Sequence, residues 1–76
     1  MNEITATEVQ TLVKGTDTAI FMITEFGDGT TDAALRMTVG SITADLPVQS
    51  FADSHAARAH TATWVGSLVA DGWATA

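Results

Sequence analysis

The sequence predicts an α+β fold: a three-stranded antiparallel meander with a short helix before it and a long helix after it, α-β-β-β-α, the long helix packed on one face. Three observations carry this reading. The run AIFMI is short, β-branched and aromatic, and turn residues bound it. Gly40-Ser41 separates two segments whose apolar residues alternate. The C-terminal part of the chain repeats its apolar residues at helical spacing.

Residues 6–14 are read as the first helix. Thr5 and Glu8 have the spacing of a capping box, and Ile4 and Val9 that of a hydrophobic staple. Val9, Leu12 and Val13 share one helical face, and Gly15 stands where a left-handed C-terminal cap belongs. A strand is the rival reading, but it would put Glu8, Gln10 and Leu12 on one face. Residues 18–25 follow as the first strand. Phe21 and Ile23 point one way and Ile20 and Met22 the other, so both faces are apolar. Asp28-Gly29 then marks a hairpin turn.

Residues 33–39 and 42–48 are the next two strands. Gly40-Ser41 suits a two-residue type II′ turn. That turn sets Val39 opposite Ile42, Met37 opposite Ala44 and Leu35 opposite Leu46 on one face. On the other face it sets Thr38 opposite Thr43 and Arg36 opposite Asp45. A slip of one residue would spoil both faces. Pro47 places the third strand at a sheet edge. Residues 53–70 form the long helix, with Ser50 or Asp53 as N-cap and a stripe of Ala57, Thr61, Trp64, Val65 and Leu68. Gly72 fits the left-handed position after it, and Trp73 folds back on Leu68.

Composition narrows the function. The chain of 76 residues is one domain, residues 1–76, and a core this small needs a staple. There is no cysteine, which removes disulfides and thiolate metal sites and leaves self-association as the common remaining staple. The net charge of −6 opposes binding to nucleic acid and to anionic membranes and favours basic partners. No apolar run has the length of a membrane span, and MNEITATEVQ lacks the charged and apolar regions of a signal peptide, so a cytoplasmic setting is expected, the host cytoplasm if the protein is viral. Lysine occurs once amid abundant Ala, Thr, Asp and Gly, a bias typical of high-GC coding such as actinobacteria and their phages.

No motif points to chemistry. His55 and His60 lie about 140° apart around a helix and cannot face one ion together. Asp53-Ser54-His55 has three triad residue types, but neighbours at a helix start diverge, and capping explains Asp53 and Ser54. Gly27-Asp28-Gly29 lacks the lysine of a phosphate loop and the carboxylate ladder of a calcium loop. The expectation is therefore no catalytic residue, no metal site and no cofactor. The tail, with Phe51, a capped Ala-rich helix and then Gly72-Trp73, resembles the ends of SPOR domains, WGR domains and the arm-binding domains of phage integrases. The tripeptide that names the WGR domain is absent here, and the integrase arm's cationic sheet is replaced by an acidic one.

The expected function is that of a small, acidic, non-catalytic protein-interaction domain, phage-encoded or accessory, acting as a homodimer or on a host protein. A structural part of a larger assembly such as a virion, and a small-ligand-binding module, are the alternatives. Phe21, Ile23 and Trp73 are the candidate interface residues, because a short N-terminal helix would cover Phe21 and Ile23 only thinly.

Overall fold

Alternation, not helical spacing, governs the N-terminal segment. The computed structural model describes residues 3–76. In it Ile4–Lys14 is a strand, β1, and Asp17–Phe26 is the next, β2, paired antiparallel from Ile4 opposite Phe26 to Lys14 opposite Asp17. The expected helix over residues 6–14 is not formed. Thr5, Thr7, Thr11, Val9 and Val13 are β-branched at every second position, a pattern that suits a pleated strand and crowds a helix. Gly15, with φ 63°, takes its left-handed conformation in the β1–β2 hairpin turn and not at a helix end. Glu8, Gln10 and Leu12 do share a face. Glu8 is accommodated there because the Arg58 guanidinium, reaching over from the helix, donates to its carboxylate.

The hairpin at Gly40-Ser41 follows the expected register from Val39 opposite Ile42 to Arg36 opposite Asp45, but the expected pair of Leu35 with Leu46 lies outside the ladder. Strand β3, Thr31–Val39, pairs with β2, and β4, Ile42–Asp45, pairs with β3. Val39 lies opposite Ile42, Met37 opposite Ala44, Thr38 opposite Thr43 and Arg36 opposite Asp45. The hydroxyls of Thr38 and Thr43 are 3.0 Å apart. The expected strand over residues 42–48 is broken after Asp45, next to Pro47, and resumes as β5, Gln49–Phe51, which also pairs with β3.

The helix α1, Ser54–Ala70, begins at Asp53, whose carboxylate accepts the Ala56 N–H at 2.8 Å. It ends in a Schellman motif. Gly72 has φ 98°, its N–H donates to the Val69 carbonyl at 3.1 Å, and the Trp73 N–H donates to the Leu68 carbonyl at 3.0 Å. A last strand, β6, Ala74–Thr75, was not legible from its two residues and pairs with β1 at Leu12 and Val13. Among the described residues the sheet thus has six strands, not three, in the order β4-β3-β2-β1-β6 with β5 also on β3.

The core lies between α1 and one face of the sheet. Leu12, Ala19, Phe21, Leu35 and Trp73 form its buried centre, with Met37, Trp64, Val65 and Leu68 packed around them. Phe21 and Trp64 meet with ring centroids 6.3 Å apart. With no N-terminal helix, nothing among the described residues covers the other face.

Candidate interaction surface

Strand β2 is apolar on both faces, and the structure uses the two differently. Ala19, Phe21 and Ile23 are buried beneath α1. Ile20 and Met22 point away from the helix, and Met22 is 41% exposed. Their neighbours on that face follow from register. Val9 and Ala34 flank Met22, and Thr11 and Arg36 flank Ile20. Beyond β4 the chain brings Leu46 and Val48 to the same place, Val48 60% exposed. Ile20, Met22, Ala34, Leu46 and Val48 line a trough of about 460 Å³, with Arg36 and Asp45 at its rim.

The rim is a closed electrostatic unit. Arg36 donates from Nε to Asp45 Oδ1 at 2.6 Å and from Nη2 to Oδ2 at 3.2 Å. The fork holds the Asp45 carboxyl below its ordinary range and raises the Arg36 guanidinium. The fork uses both Asp45 oxygens and two of the five Arg36 N–H donors, and the rest of the trough, Ile20, Met22, Ala34, Leu46 and Val48 among it, is apolar.

A second depression of about 360 Å³ lies on the helix side, between β1 and α1, lined by Glu8, Gln10, Phe21, Ile23 and Thr61 among others. Arg58 guards it, donating to Glu8 and, at 3.2 Å, to Glu25. The hydrogen bond from Arg58 is the first cause of a lowered Glu8 pKa.

The three residues expected at an interface are all core residues of the chain. Phe21 and Ile23 lie under α1 and Trp73 in the same cluster. Phe21 and Ile23, 1% and 7% exposed, offer little surface for a contact. The exposed apolar face belongs to the alternate residues of the same strand. Its sequence signal was present in the two-sided run from Ile20 to Ile23. Because Ile4–Lys14 forms a strand and not a helix, α1 is the cover of the Phe21 face, and the Met22 face is the open one.

His55 is exposed, whereas His60 is half-buried between Phe51 and Trp64, with ring centroids at 5.2 and 4.4 Å. The expected edge contact with Trp64 is present, and His60 Nε2 is shielded with no hydrogen-bond partner among the described residues. Asp28 accepts from the Thr30 N–H and hydroxyl, which fixes the β2–β3 turn, and Asp32 accepts from the Ser50 hydroxyl at 2.7 Å. Among the described residues, no three His, Asp or Glu side chains gather where they could hold a metal ion, and no helix is long and apolar enough to cross a membrane. No protein-family model matches the chain, and neither a curated protein nor a solved structure is significantly similar to it.

Proposed function

We propose that the protein is a non-catalytic interaction module whose helix-free sheet face receives an apolar protrusion from a basic protein partner. The exposed Met22 and Val48, set with Ile20 and Leu46 in one trough, are the observation that carries this reading. The net charge of −6 selects for basic partners and against nucleic acid and anionic membrane. A small ligand is a weaker fit. Such sites orient their ligand with a few converging polar groups, and here the polar lining is the Arg36–Asp45 pair, both of whose carboxylate oxygens already accept from Arg36.

The test compares wild type with Met22→Lys and Val48→Asp as immobilised baits carrying a photo-crosslinker at position 46. Crosslinking to one basic protein, lost in both variants while their helical signal persists, is the expected result. A partner retained equally by both variants would place the binding surface elsewhere.

A further inference from the structure

The two edges of the sheet are defended unequally. At one edge β4 and β5 are short and broken next to Pro47, the usual means of stopping strand addition. At the other edge β1 runs from Ile4 to Lys14 without proline, and β6 covers it only at Leu12 and Val13, with the Ala76 N–H on the Thr11 carbonyl at 3.0 Å. Residues 4–10 therefore have no strand partner on their outer side among the described residues. The direction of the Thr11 carbonyl fixes the rest by alternation. Thr7 and Val9 also turn their N–H and C=O groups outward, and Glu8 and Gln10 turn theirs toward β2.

We infer that this open edge pairs antiparallel with the same edge of a second copy of the chain, about a two-fold axis through Thr7. Three features select this occupant and register. Thr7 is the outward-facing residue between the Ile4–Ala6 bulge and Val9, so a copy placed there pairs residues 6–8 of each chain, clear of Ala76 at Thr11. Ala6 then faces the partner's Glu8, whereas an axis through Glu8 would set two glutamates directly opposite each other. The helix packs chiefly on β2, β3 and β5, so it stands back from the edge and leaves room for a second copy. The Ile4–Ala6 bulge limits regular pairing about Thr7 to residues 6–8 of each chain and takes the partner's residues 3–5 out of the ladder before they reach Thr11, where Ala76 sits.

This pairing uses the backbone edge of β1 and not the open face that holds the trough. The chain has no cysteine, so single-cysteine variants report the register directly. Under mild oxidation Thr7→Cys should form a disulfide-linked dimer much faster than Val9→Cys, since opposed residues on paired strands lie about 5.5 Å apart at Cα, within disulfide range. Thr7→Pro removes an outward N–H and spares the β1–β2 ladder. Sedimentation equilibrium should show its dimerisation weakened roughly tenfold or more, with wild-type circular dichroism. Met22→Lys should dimerise like wild type, which separates this inference from failure of the trough reading. A wild type that is monomeric at millimolar concentration, or equal crosslinking at positions 7 and 9, would overturn it.

Discussion

Replacing Phe21 by alanine and Met22 by serine tests which face of β2 holds the fold together. The two residues are neighbours on one strand and lie on opposite faces of it. Phe21 is 1% exposed and packs against Trp64 and the rest of the core, so its truncation should cost about 3–5 kcal/mol. A domain of 76 residues has about 4–11 kcal/mol in total. Met22 is 41% exposed, so its loss should cost about 1 kcal/mol. Urea unfolding followed by fluorescence of Trp64 and Trp73, both in or beside the core, reads the difference. With a slope of about 1 kcal/mol per molar urea, Phe21→Ala should lower the midpoint by about 3 M or leave the chain largely unfolded, and Met22→Ser by about 1 M. Equal shifts would mean that both faces are covered, and the reading of an open face would fall with them.

Two further outcomes follow from the caps and the charges. Gly72→Ala forces a side chain into φ 98°, next to Lys14 Cε, and should cost about 1 kcal/mol in the same assay, with the Trp73 emission shifted as the cap loosens. The Glu8 and Asp45 pKa values are lowered in the folded state, so their contribution is fully present above the ordinary carboxylate range and is lost as pH falls through the depressed values. Urea midpoints measured from about pH 7 down to about pH 3 should fall at the acid end, and Arg58→Ala should remove the Glu8 part of that slope; an unchanged slope would show that the ion pair contributes nothing.

The β3–β4 hairpin was legible in detail because two independent constraints coincided. The turn residues Gly40-Ser41 and the pairings on both faces specified one register, and Arg36 and Asp45 meet in it. The long helix and its Schellman end were legible for the same reason: stripe, cap and left-handed glycine agree. The first segment was not, because its local signals have two meanings. Thr-x-x-Glu spacing and a glycine after lysine suit a helix with caps or a strand entering a hairpin. The choice was made by long-range pairing with β2 and by the Arg58 contact to Glu8, neither of which is local. Strand β6 was lost for a related reason, since two residues carry no period.

The covered face, the open face and the open edge together set what a pair of these chains would present. A two-fold axis normal to the sheet keeps each face on its own side, so both helices lie on one side of the dimer and both troughs on the other. The sheet would run continuously through two β1 strands, and the Val9 side chains, 57% exposed in the single chain, would lie between the two troughs and join them. A partner touching both troughs would gain from effective concentration as well as from contact area. Thr7→Pro and Met22→Lys should therefore weaken partner binding in different ways. Met22→Lys removes the contact itself, whereas Thr7→Pro leaves each trough intact and removes only the gain from having two.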